Sequence, residues 1–273
     1  MGDDFSAAPS LDAAPPTLSL VIPAYEEEAR LPALLETLAT SAASAVQAAG
    51  MELAEVLIVD DGSEDSSRAM LEQAAEHDPL LQPVFAYKQN RGKGAAFAAG
   101  VERASGEYVL LADVDLSTPL EELPKLTAAL REGADIAIGS RAVPGAVVER
   151  GPRLRKVTGG TFNVAVRLLT GLHLRDTQNG FKLFPAKAAK RLVGEQTCAG
   201  FAFDVELLMR ADQAGLRIAE IPVRYLHDSR SQVQVPSASM EMLKDVAGFA
   251  YRLRLRKQGN GAPPGQPGIV RRP

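Results

Sequence analysis

Two carboxylates one residue apart, Asp113 and Asp115, close the apolar run Tyr108-Val109-Leu110-Leu111-Ala112. On an extended segment side chains alternate, so both acids point one way and Val114 the other, placing the pair at the mouth of a buried strand. Oxygen donors suit Mg²⁺ or Mn²⁺. A site with only one or two protein carboxylates leaves its remaining positions to water and substrate phosphates. The pair therefore suggests a phosphate-bearing substrate held through a divalent metal. Alone, the stretch also reads as a strand running into an Asp-rich turn, and the rest of the chain has to decide between the two.

Three other polar clusters also follow directly on apolar, β-branched runs. Tyr25 and Glu27 follow the run 18–23, Asp60 and Asp61 follow 55–59, and Ser140 and Arg141 follow 134–139. Between these runs lie helical patterns. Leu31, Leu34, Leu35 and Leu38 share a face; Ser63 is placed to cap a helix carrying Met70 and Leu71; Asn90-Arg91-Gly92-Lys93-Gly94 opens a small-residue helix over 95–104. A short third strand is expected over 83–87. Thr118-Pro119-Leu120-Glu121 has the spacing of a capping box with proline at the first helical position, and Gly133 marks that helix's end. Alternating strands and helices of this length make an α/β fold with a mostly parallel, helix-covered sheet, in which ligands collect beyond the carboxyl ends of the strands. All four polar clusters sit at such ends.

The second half is less regular. Residues 143–155 form a Gly/Pro/Arg-rich loop, expected as a mobile cover, and a helix through Phe162, Val166 and Leu169 follows. The stretch 176–184 is a turn into a strand, Phe203 starts a helix, and a late strand over 218–225 leads to His227. The last helix, about 238–257, carries Met240, Leu243, Val246, Ala250 and Leu253 on one face and ends in Arg252, Arg254, Arg256 and Lys257. Residues 1–17 and 258–273, rich in Pro, Gly and small residues, are expected to be disordered, leaving one domain over 18–257.

Composition removes several functions. With 273 residues, 46% apolar content and a formal net charge of −4, the chain is an ordinary globular protein without the basic face that nucleic acid requires. A single cysteine, Cys198, makes an intramolecular disulfide impossible and a zinc cluster a poor fit, which favours a reducing compartment. No apolar run is long enough for a membrane span, nor does the N-terminus have the charge pattern of a signal peptide. A cytoplasmic location is expected. The first strand is followed by no Gly-x-Gly-x-x-Gly fingerprint, which argues against a dehydrogenase. A nucleotidyltransferase would usually carry a basic, glycine-rich loop there, where this chain has the acidic Tyr25-Glu26-Glu27-Glu28.

Together, Val21-Ile22-Pro23-Ala24-Tyr25-Glu26-Glu27, Val59-Asp60-Asp61-Gly62-Ser63, Asn90-Arg91-Gly92-Lys93-Gly94 and Asp113-Val114-Asp115 resemble glycosyltransferase family 2, inverting enzymes of the GT-A fold with a Rossmann-like central sheet. Asp176-Thr177-Gln178-Asn179-Gly180-Phe181-Lys182 and Phe203-Asp204-Val205-Glu206-Leu207-Leu208 are similar to the branch that glucosylates dolichyl and polyprenyl phosphates. The resemblance implies that Pro23, Tyr25, Glu27 and Asp60 or Asp61 surround the donor nucleoside and that Lys93 lies near base or phosphate. It implies that Asp113-Val114-Asp115 completes the donor site, with Asp113 and Asp115 holding Mg²⁺ or Mn²⁺ against the diphosphate; His227, by its position after the last strand, is a candidate further contact to metal or diphosphate. A metal there neutralises charge building on the departing nucleoside diphosphate. Arg141 and Arg155 match positions that relatives use for the lipid phosphate, with Gln178 and Asn179 beside them. The implied donor is UDP-glucose and the implied acceptor a polyprenyl or dolichyl phosphate, reached from a peripheral position on a membrane. Rivals are GDP-mannose or UDP-N-acetylglucosamine as donor, a soluble hydroxyl acceptor, and a nucleotide-sugar-binding protein without turnover. A hydroxyl acceptor needs a general base, for which Asp204 is the first candidate and Asp176 the second; a phosphate acceptor is already ionised. The chain departs from the family at Arg230-Ser231-Gln232, where Gly-Ser-Lys is expected.

Overall fold

A computed structural model of the protein describes residues 14–149, 163–226 and 235–259. Alternating apolar side chains on the first two strands decide its layering. In β1 (Thr17–Ala24), Leu18, Leu20 and Ile22 belong to one apolar cluster and Val21 to a second. In β2 (Glu52–Asp60), Val56 and Ile58 join the first and Leu57 and Val59 the second. A sheet apolar on both faces has to be covered on both. On one side lie α1 (Leu31–Thr37), continued through a π-helical turn into α2 (Ala43–Ala48), then α3 (Ser67–Ala75) and α5 (Leu123–Arg131), contributing Leu31, Val46, Leu71 and Leu126. On the other lie α4 (Lys93–Arg103), α6 (163–170), α7 (Ala186–Gly194), α8 (Phe203–Gln213) and α9 (Val235–Gly259), contributing Phe97, Val166, Leu192, Phe203 and Phe249.

The sheet has seven strands in the order β3 (Leu81–Phe85), β2, β1, β4 (Tyr108–Leu111), β7 (Lys182–Pro185), β5 (Ile136–Ser140) and β8 (Ile218–Pro222). A separate parallel pair joins β6 (Val147–Val148) to β9 (Arg224–Tyr225). Every pairing in the large sheet is parallel except those of β7, which runs antiparallel to both β4 and β5. Lys182 stands opposite Leu111 on one side and Ile138 on the other. Because β7 is reversed, its amino end lies at its neighbours' carboxyl ends. That reversal carries residues 176–181 to the edge where Asp113 and Arg141 emerge.

Several local expectations need correction. Asp113 and Asp115 do not extend β4, which stops at Leu111. They lie in a turn closed by the Leu116 N–H donating to the Asp113 carbonyl at 3.0 Å, with Leu116 at φ 42°. A leucine in this left-handed region costs about 1–2 kcal/mol, a strain placed next to the acids. Ser63 caps no helix: α3 starts at Ser67, and the Ser63 hydroxyl accepts the Glu26 N–H instead. The Thr118 capping box is not formed, because its hydroxyl donates to Asn179 Oδ1 and a 3₁₀ turn, Leu120–Glu122, precedes α5. The third strand lies two residues earlier than expected. The late strand breaks at Val223 into β8 and β9, and β1 already begins at Thr17, whose N–H donates to Glu107. Among the described residues no helix is long and apolar enough to cross a membrane.

Candidate active site

At the end of β2 the carboxylates are held by main-chain donors. Asp60, the last residue of β2, accepts the Ser63 N–H at 3.3 Å. Asp61 accepts the N–H groups of Arg91 and Gly92 at 3.0 and 2.6 Å. Asp61 thereby shapes the loop that starts α4. Gly92 sits there at φ +108°, against the Ala199 carbonyl, in a backbone conformation and space that leave no room for a side chain. Lys93 follows as the first residue of α4. Pro23 lies in β1 opposite Val59, and Tyr25 stands exposed just beyond the strand. Glu27 pairs with Arg30, three residues on, which adds a cation that the motif around Tyr25 and Glu27 does not include.

The acidic turn faces these elements. Asp113 Oδ1 receives the Lys93 ammonium at 2.5 Å. Burial opposes the Asp113 charge, but Lys93 outweighs it and holds the carboxyl below its usual range. Asp115 accepts the Ser117 N–H at 2.9 Å and lies 3.8 Å from Arg30. Burial and the neighbouring Asp113 charge push it up. Two carboxylates that raise each other's cost of ionisation, with oxygen donors only, fit a divalent cation. The described residues bring no third acid, histidine or cysteine to the pair to complete a metal-binding group. Val114 between them is buried in the apolar cluster. Gly180 backs the site: a Cβ there would fall 2.2 Å from Asp113 Oδ1, so a side chain at this position would push the Asp113 carboxylate aside.

On the far side of the turn the carboxylates are held by cations. Asp176 takes Arg141 Nε at 2.7 Å and Nη2 at 2.8 Å, a two-pronged pair, and also the Arg141 N–H. Burial would raise Asp176, but Arg141 holds it below the usual carboxylate range. The same guanidinium lies 5.0 Å over the Tyr225 ring, and Glu220 of β8 accepts the Arg175 and Asp176 N–H groups. Asp204, second residue of α8, accepts from Lys182 Nζ at 2.6 Å; that nitrogen also donates to the Asn179 carbonyl. Burial pushes Asp204 up, with Lys182 and then Lys93 opposing. Lys182 belongs to the motif 176–182, but only the fold makes this fully buried lysine the partner of Asp204. Gln178 reaches Met242 of α9. Glu206, in the same motif as Asp204, is structural: it accepts the Thr197 and Cys198 N–H groups and pairs with Arg210. Arg155, His227 and Arg230-Ser231-Gln232 lie outside the described residues.

A model of glycosyl transferase family 2 matches residues 19–204. The dolichyl-phosphate β-glucosyltransferase of Dictyostelium discoideum is 32% identical over 246 residues, covering 87% of this chain and 75% of that protein. The polyprenol monophosphomannose synthase of Mycolicibacterium smegmatis is 30% identical over 241 residues, covering 86% and 88%. In fold, the chain is similar to glucosyl-3-phosphoglycerate synthase from Mycobacterium tuberculosis solved with Mn²⁺ and UDP-glucose, at 19% identity and a TM-score of 0.59, covering 87% of this chain and 82% of that one. The expected GT-A architecture, a mostly parallel sheet between helices, is the one observed. Since the family model spans well over half of the chain, the protein belongs to glycosyltransferase family 2 and is a glycosyltransferase.

Proposed function

We propose that the protein transfers glucose from UDP-glucose, with inversion, onto the phosphate of a polyprenyl or dolichyl phosphate. The observation carrying this reading is that both candidate bases are engaged by cations, Asp176 by Arg141 and Asp204 by the buried Lys182. An acceptor that arrives ionised needs no such base, and a phosphate monoester is one. The names of the relatives from Dictyostelium discoideum and mouse, the latter 33% identical over 249 residues, support the same acceptor and sugar.

In this reading Tyr25, Glu27 and the Asp60-Asp61 turn receive the nucleoside, and Lys93 serves the diphosphate. Asp113 and Asp115 hold Mg²⁺ or Mn²⁺, which when bound supplies Lewis-acid neutralisation of the leaving diphosphate. Asp176 fixes the plane of Arg141 so that the rest of its guanidinium can orient the acceptor phosphate, and Arg155, Gln178 and Asn179 complete that pocket. His227 is a further contact to the metal or diphosphate. Exposed Val164 and Leu168 of α6 and Met240 and Tyr251 of α9, with the basic end of α9, dock on the cytoplasmic face of a membrane. A hydroxyl acceptor is the second reading, favoured by the burial that pushes Asp204 up toward a working base. The test is incubation with Mg²⁺ or Mn²⁺ and a panel of nucleotide sugars, with and without a short polyprenyl phosphate. Labelled lipid from UDP-glucose is expected; glycosylation of a soluble alcohol with none on the lipid would contradict the reading.

A further inference from the structure

We propose that Lys93 is an exchangeable counter-ion: it occupies Asp113 in the metal-free site and crosses to the donor diphosphate when metal and nucleotide bind, making the two ligands enter cooperatively. The inference rests on Asp113 and Asp115 being the metal ligands. Lys93 Nζ lies 2.5 Å from Asp113 Oδ1, and Lys93 is the one ion-pair partner of Asp113 among the described residues. An ammonium at that distance uses the oxygen a divalent ion would need. Metal entry therefore has to displace Lys93, or bind beside it at an electrostatic penalty.

The backbone around Lys93 confines the exchange to its side chain. Asp61 grips the two N–H groups before it, Gly92 rests on the Ala199 carbonyl, and the Ala95 N–H donates to that same carbonyl at 3.1 Å. Lysine is a compact charge on a flexible four-carbon stem, and can change partner while its main chain stays fixed. Charge decides when it does so. Metal alone would take the anion that Lys93 neutralises and leave two cationic groups side by side. The diphosphate, itself a dianion, gives Lys93 a new partner at the moment the metal takes the old one. Each ligand removes the other's obstacle, and such coupling is reciprocal.

The experiment titrates Mn²⁺ into the full-length protein, followed by electron paramagnetic resonance, with and without saturating UDP or GDP, whichever binds. Wild type, Lys93→Gln and Lys93→Arg are compared, with circular dichroism confirming the fold. In the wild type the nucleotide should tighten Mn²⁺ binding by a factor of roughly 5–150, the usual range for coupled sites. Lys93→Gln should tighten Mn²⁺ binding without nucleotide and so reduce the coupling to the part that the diphosphate's own contact with the ion supplies, whereas Lys93→Arg should keep it. Equal tightening with and without nucleotide would reveal a general charge effect and overturn the proposal, as would unchanged Mn²⁺ affinity without nucleotide. Failure of the wild type to bind Mn²⁺ even with nucleotide would reject the metal site itself, a result distinct from those two.

Discussion

The two halves of the site hold their acids by different means. At the end of β2, Asp60 and Asp61 are satisfied by main-chain N–H groups of Ser63, Arg91 and Gly92, and Glu27 beyond β1, paired with Arg30, is that half's exception. Around β5, β7 and α8, Asp176 and Asp204 are satisfied by the side-chain cations Arg141 and Lys182. Main-chain donors fix a loop without adding a formal charge, which suits a pocket for ribose and base. Fixed cations beside acids suit a pocket that orients an anion while leaving no carboxylate free to take a proton. Asp113 and Asp115 stand where the halves meet and use both devices, Lys93 on the first and the Ser117 N–H on the second.

The largest expected effect lies at that junction. Asp115→Ala should reduce transfer to background, a loss of roughly 10²–10³-fold or more in kcat, with the fold retained by circular dichroism. Substantial residual turnover would remove the acidic turn from the chemistry. On the cation-held side, Lys182→Met leaves Asp204 buried and unpaired and should cost about 3–5 kcal/mol in urea unfolding. Adding Asp204→Leu should recover most of it, because an apolar pair can replace a buried ion pair at little cost. On the main-chain-held side, Asp61→Ala strands two N–H donors and should cost about 1–3 kcal/mol. It should raise the KM for the donor and leave that for the acceptor unchanged. Equal effects on the two KM values would erase the division between the halves.

The two halves were also unequally legible in the sequence. Each donor-side cluster follows its strand directly, so apolar runs ending at Pro23, Val59 and Ala112 located the clusters without knowledge of the packing. The acceptor side depends on partners distant in the chain. Arg141 meets Asp176 across 35 residues and Lys182 meets Asp204 across 22, and both meetings require β7 to enter the sheet reversed. A four-residue strand with no turn of its own carries no signal of direction. Local capping was misread for a related reason: Ser63 and Thr118 have the right spacing, but tertiary partners, the Glu26 N–H and Asn179, claim their hydroxyls.

The measurement that bears most directly on an acceptor needing no base is kcat of Asp204→Asn with UDP-glucose and a polyprenyl phosphate. Urea unfolding would serve as the control for stability. The amide oxygen can still accept from Lys182, so the expected loss is within about tenfold, against the 10²–10⁴-fold that removing a working general base would give. A loss in that larger range, with fold and donor affinity intact, would contradict the phosphate-acceptor reading and assign Asp204 the base.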